Sequence, residues 1–245
     1  MCFTWSATDT WDYGRKLFAS RAQPLILGYC GDVMFTSHAV GQALELVEAG
    51  FLHPGEADWT TRITALEAFL RDSLQTYPLS QRREFIVVYA WRIGSNMQSS
   101  FFIAETSWSP AAGWSTASLV LPPESGVVLL RGSGHTDFAS PHKRWKDSEV
   151  GRTSRAVYSA FCDHLASGVD PCSGGPPQLV ALYRTGPATT FGLIYARARW
   201  LSGTRVPDGW IPEDLEWRDE LFQRCDGQTM ALKQGAQRHA RPRSA

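Results

Sequence analysis

What the chain lacks narrows its chemistry first. Its 245 residues carry 24 basic and 24 acidic side chains, a formal net charge of zero. No excess of one sign is available overall to attract nucleic acid or an anionic membrane surface, and neither is expected as a partner. No apolar run approaches the ~20 residues that span a bilayer, and no basic-plus-apolar leader opens the sequence. Cysteine is scarce: five residues, irregularly spaced, with no C-x-x-C pair. An odd, scattered set fits reduced thiols in a cytoplasmic protein. There is no P-loop and no zincin helix, and Gly132-Ser133-Gly134 is too short for a dinucleotide fingerprint. No cofactor is expected. Internal repeats and domain linkers are missing as well.

What is present suits one large domain or two small ones with a sizeable core. Residues 1–232 read as a single domain, and residues 233–245, basic and poor in apolar side chains, as a solvated, disordered tail. Residues 25–30 form a buried strand, with Asp32 as N-cap of a helix starting at Val33. Val33, Val40, Leu44 and Val47 recur at helical spacing, and Gly50 supplies the stop. A second helix covers 59–77, with Ile63, Leu66, Phe69, Leu70 and Leu74 on one face. Runs 85–93 and 100–106 flank Gly94-Ser95-Asn96 as a hairpin. Strands are expected at 115–121, 127–131, 178–184 and 191–199, and a helix at 147–167 with Val157, Phe161 and Leu165 inward. Ten tryptophans are many. Trp108, Trp114, Trp145, Trp200, Trp210 and Trp217 fall in or near loop-like stretches, as subunit contacts or as loops folded onto the core. Hairpin-spaced strands pair antiparallel. Two such sheets packed face to face with helices outside would bury every apolar face, an α+β architecture.

The most informative segment is Asp170-Pro171-Cys172-Ser173-Gly174-Gly175. It puts a carboxylate, a hydroxyl and uncovered glycine backbone into one turn, able to aim all three at one point. Alone it is also an ordinary turn composition. Two other segments accompany it: Gly14-Arg15-Lys16-Leu17-Phe18 running into Leu25-Ile26-Leu27-Gly28-Tyr29-Cys30-Gly31-Asp32, and Arg131-Gly132-Ser133-Gly134. In this order, between residues 10 and 200, they resemble the β-type proteasome subunits and their bacterial relatives among the N-terminal nucleophile (Ntn) hydrolases. That family carries a lysine in a G-(K/R)-K-(L/I)-(F/Y) strand, a G-x-x-G-D strand-to-helix turn, a later G-S-G, and a closing D-x-x-S-G-G.

The resemblance implies a four-layer αββα sandwich of two antiparallel sheets and hydrolysis of a peptide or amide substrate. A homo-oligomer or proteasome-like assembly is implied by kinship alone. It assigns catalytic roles to Lys16, Gly28, Ser133, Asp170, Ser173 and Gly174. The Gly28 N–H would stabilise an oxyanion, and Ile26 and Cys30 would flank an apolar pocket for the acyl side of the cut bond. Asp170 would orient the Lys16 ammonium, while Ser133 and Ser173 would surround the free N-terminal amine. The family's nucleophile, usually Thr, opens the mature chain well ahead of the lysine. Lys16 lies so early that the first strand and the nucleophile are expected to be missing. A nucleophilic Cys2 leaves too little chain for two strands and a turn before Lys16, at about 3.3 Å per strand residue.

Alternatives remain. The chain can be a catalytically inactive relative, a structural or recognition subunit keeping Gly28, Ser133 and Asp170 for their turns. Cys30 with His38 or His135 can form a thiol hydrolase pair. His135, Asp137 and His142 are metal-ligand types, but share one loop with no evident fourth ligand, so no metal is expected. Without the resemblance, Lys16 reads as an exposed edge-strand lysine.

Overall fold

The computed structural model describes residues 3–4, 10–52 and 57–242. Its helices are α1 (Val33–Glu48), α2 (Trp59–Thr76), α3 (Ala139–Lys146) and α4 (Ser154–Ser167). Its strands are β1 (Phe3–Thr4), β2 (Thr10–Trp11), β3 (Leu17–Ala19), β4 (Leu25–Gly31), β5 (Phe85–Ile93), β6 (Ser100–Ser109), β7 (Gly113–Leu119), β8 (Val180–Ala181), β9 (Thr189–Thr190), β10 (Gly192–Tyr195), β11 (Ala198–Leu201), β12 (Thr204–Arg205), β13 (Trp217–Asp219) and β14 (Arg224–Cys225). The fold is mixed α and β with largely antiparallel sheets. The chain divides into two compact units, each discontinuous in sequence. One holds Lys16–Leu121 with Val180–Thr189, and the other Met1–Arg15, Pro122–Leu179 and Thr190–Ala245.

The Lys16–Leu121 unit is built on a five-stranded sheet ordered β3-β4-β5-β6-β7, antiparallel throughout. Period-two alternation sends Leu25, Leu27 and Tyr29 of β4 to the same face as Phe85, Val87, Tyr89 and Trp91 of β5. There they pack with Val40, Ala43, Leu44 and Val47 of α1 and Leu66, Leu70 and Leu74 of α2. Asp32 caps α1, its Oδ1 accepting from Met34 N at 3.0 Å and Phe35 N at 3.4 Å. Trp108 and Trp114 are strand residues rather than loop residues. They pair across β6 and β7, and both pack on Phe85. Segment 180–189 belongs here through backbone capture: Arg92 donates to Tyr183 O, and Asn96 N donates to Arg184 O at 2.8 Å.

In the other unit the helix expected over 147–167 begins only at Ser154, as α4, and α3 precedes it at Ala139–Lys146, in a stretch expected as a loop. Residues 147–153 turn tightly between them, and Gly151 packs against the Lys146 carbonyl where a Cβ would collide. Trp145 of α3 is wholly buried, clustered with Phe138, Ala156 and Ala160. Residues 127–131 form no ladder. Val127 and Leu130 instead pack on this helical cluster, which satisfies an apolar run as well as a strand partner does. The strand expected over 178–184 is only the two residues of β8.

This unit's sheet is ordered β12-β11-β10-β13-β14. The run expected as one strand over 191–199 is the hairpin β10–β11, turned through Ala196 and Arg197 at φ 50° and 59°. Left-handed φ at both turn residues matches a tight hairpin, but alanine and arginine give no sequence warning of it. The β10–β13 pair is parallel, departing from the antiparallel expectation. After β12 the chain crosses to the far side of β10 before re-entering the sheet, the longer connection that parallel neighbours require. Trp217 of β13 is buried with Ile211 and Cys225, whereas Trp210 is 82% exposed. Within the segment expected as a tail, Lys233 N donates to Arg224 O at 3.0 Å, and His239 and Arg241 meet Trp145 of α3 and Asp163 of α4.

Candidate functional site

Asp170 is the centre of a compact polar group in the helical unit. It follows α4 after Gly168, which ends the helix in left-handed conformation at φ 61°. Its side chain is 7% exposed. Ser133 Oγ donates to Oδ2 at 2.6 Å, Ser173 Oγ donates to the same oxygen at 2.5 Å, and Cys172 N donates to Oδ1 at 3.0 Å. Burial opposes ionisation of this carboxyl. The two hydroxyls, the Cys172 amide and the nearby His164 outweigh it and hold the carboxyl below the usual aspartate range.

The turn is fixed from both ends. Ser173 N closes onto Asp170 O at 3.1 Å. Gly175, at φ 70°, lies so close to Asp12 O that a Cβ could not fit. Gln178 donates to Gly14 O at 2.6 Å. Gly174, half-buried, links Ser173 to that close approach. Gly134 is needed for space: a Cβ there would stand 2.6 Å from His164 Nε2 and 2.9 Å from Asp170 Oδ2. Thus the Ser133 and Asp170 segments meet in one unit. Buried His164, one turn from the end of α4, was not foreseen. No motif marks it; it shows only as a polar residue beside the inward Leu165.

Lys16, Ile26, Gly28 and Cys30 belong to the other unit. Lys16 is 7% exposed, not an exposed edge lysine, and its Nζ lies 4.3 Å from the centroid of the Tyr29 ring. Desolvation lowers its pKa from 10.5 to about 8, with Cys30 and Asp32 opposing the shift. Tyr29, also unforeseen, is pushed up to about 12, chiefly by burial. It is legible in hindsight, because alternation puts the residue after Gly28 on the opposite face.

Gly28 lies mid-strand, paired with Leu17 on one side and Val88 on the other. Tyr29 N donates to Lys16 O at 3.2 Å. Successive amides of a strand point to opposite neighbours, so the Gly28 amide turns along the sheet toward β5. Gly28 is also tight, a Cβ there standing 3.0 Å from Leu17 Cδ2. Ile26 and Cys30, both half-buried, share its face.

The rival groups are less organised. Cys2 lies outside the described residues. His38 is exposed on α1. His135 approaches Gly132 O at 2.9 Å, while His142 sits on α3 stacked on Phe138. Among the described residues no three His, Cys, Asp or Glu side chains gather as metal ligands, and no helix is long and apolar enough to cross a membrane. Compared with protein-family models and with curated proteins, the chain matches none.

Proposed function

We propose that the chain is an Ntn-type hydrolase subunit related to proteasome β subunits, cleaving a peptide or amide bond with an N-terminal Thr, Ser or Cys. The observation that carries the reading is the use of hydroxyl protons at Asp170. Both Ser133 and Ser173 commit theirs to a single carboxylate oxygen. An ionised carboxylate only accepts, so each hydroxyl is left with lone pairs alone to offer outward. Two such acceptors backed by a negative charge suit a primary amine, the group such an enzyme uses as its base. In the other unit, the buried Lys16 has its pKa lowered to about 8 and gives up its proton more readily than an exposed lysine.

In this reading the α-amine takes the nucleophile's proton and the nucleophile attacks the carbonyl. The C–N bond breaks as the α-amine returns that proton to the leaving amine. Water then attacks the acyl carbonyl to release the acid and the free nucleophile. Two five-stranded sheets and the pairs α1/α2 and α3/α4 are the parts a four-layer αββα sandwich needs. Oligomeric assembly and a cytoplasmic location complete the proposal.

A second reading, an inactive structural or recognition subunit, is favoured by one specific observation. The Gly28 amide is directed at β5, so serving an oxyanion would require that ladder to open. Labelling with a peptide electrophile directed at N-terminal nucleophiles, read by intact and peptide mass spectrometry of the native protein, separates the two. Active enzyme gains one adduct on its first residue, and Asp170→Asn slows labelling by about 10²-fold or more, the lower end of a general-base contribution. A folded protein that takes no adduct at neutral and mildly alkaline pH is the inactive subunit.

A further inference from the structure

The C-terminal segment makes contacts that hydrolysis does not use. Asp163 of α4, with a side chain 9% exposed, accepts from Trp145 Nε1 at 2.7 Å and Arg144 Nη2 at 2.8 Å through Oδ2, and from Arg241 Nη1 through Oδ1. Arg241 also donates Nη2 to Glu220 Oε2 at 2.7 Å. One planar guanidinium therefore bridges two carboxylates from separate elements, a task its fork geometry suits and an ammonium does not. Two residues earlier, His239 meets the Trp145 indole edge-on, with centroids 6.2 Å apart and planes at 81°.

Both carboxylates are held without help from this segment. Asp163 is fixed by α3 through Trp145 and Arg144, and Glu220 accepts from Ala196 N at 3.0 Å. The site is therefore preorganised and survives if the segment leaves. The segment itself is complementary: residues 233–242 include Lys233, Arg238 and Arg241 and no acidic residue. Arg241 stays 45% exposed, so salt reaches and weakens the contact. Alongside lies a cavity of about 990 Å³, with Ser140, Lys143 and Val150 in its lining and His239 and Arg241 as the wall this segment contributes.

We infer that Asp163, Glu220 and Trp145 form a binding site for an arginine-bearing basic peptide, that residues 233–242 of the same chain occupy it, and that their departure opens the adjoining cavity. The inference stands whether or not the protein hydrolyses anything.

Hydrogen exchange of the full chain, read by mass spectrometry over 233–242, tests it. At low salt this segment exchanges at least about tenfold slower than free peptide, and Arg241→Ala abolishes that protection while exchange in α1 and β5 is unchanged. A synthetic peptide of sequence 233–245 displaces the segment at about millimolar concentration, the effective concentration of a tethered competitor; the same peptide with alanine for Arg241 does not. Exchange at the free-peptide rate in the native chain, or protection indifferent to Arg241→Ala, overturns the inference. So does failure of the native-sequence peptide to displace the segment. Protection that rises with protein concentration overturns occupancy by the same chain and gives the site to a second copy.

Discussion

Two buried ionisable residues set opposite pH signatures. Asp170 has a folded pKa below its unfolded value, because the Ser133 and Ser173 hydroxyls outweigh its burial. Its contribution to stability is full above the unfolded pKa and is lost as pH falls through the lowered folded value, below about pH 4. Asp170→Asn places amide protons where one oxygen now accepts two hydroxyls, so it costs about 1–3 kcal/mol at neutral pH. Urea melts from acid to neutral pH should show this loss and a flatter acid limb. Lys16 runs the other way. Its folded pKa is lowered from 10.5 to about 8, so burying the ammonium costs stability in full below pH 8. That cost fades as pH rises toward 10.5, because the folded state sheds its proton first. Lys16→Met keeps the apolar stem over Tyr29 and removes the charge. It should raise stability at pH 7 by about 1–3 kcal/mol, on the scale of 1.36 kcal/mol per pKa unit. The gain shrinks through the window from 8 to 10.5, as paired melts at pH 7 and pH 10 would register. Loss of stability at both would mean that Lys16 is held by interactions stronger than its desolvation.

At the scale of elements, legibility followed the strength of local signals. The first helix was readable because three signals agree: Asp32 before it, apolar residues at helical spacing within it, and Gly50 at φ 81° after it. Asp32→Ala removes the oxygen that accepts from Met34 N and Phe35 N, and should cost about 1 kcal/mol in a urea melt. No change would mean another group satisfies the first turn. Strands β4 and β5 were readable for a like reason, since their alternation coincides with one buried face. Helix α3 was not, because Trp145 reads as a loop residue until the Asp163 partner of its indole N–H is known. The β10–β11 hairpin was hidden by Ala196 and Arg197, which carry no turn signature. The candidate site was half legible. Motif order named Ser133, Asp170 and Ser173, and their convergence follows. The direction of the Gly28 amide depends on strand pairing on both sides, which no single segment encodes.

For the whole molecule, neither compact unit is a continuous stretch of chain, and this decides what can be cut. The helical unit needs residues before Lys16. Gly14 O takes the Gln178 amide at 2.6 Å, and Gly175 packs against Asp12 O. Those contacts frame the turn that carries Asp170, Ser173 and Gly174. A fragment of residues 122–245 retains α3, α4 and the β10–β14 sheet but loses that frame, including the Gly14 carbonyl to which buried Gln178 donates. Losing one such buried hydrogen bond costs about 1–3 kcal/mol, and loss of the 10–15 packing adds to it. Against a net stability that is typically about 5–15 kcal/mol for a whole protein, the fragment should keep helical signal and lose order in its Asp170 turn. Its α4 amides should stay partly protected in hydrogen exchange while those of 170–178 exchange freely. Adding a synthetic 10–16 peptide should restore protection to 170–178 in a concentration-dependent way. A fragment that protects 170–178 unaided would show that the turn is encoded locally and that residues 10–15 only cover it.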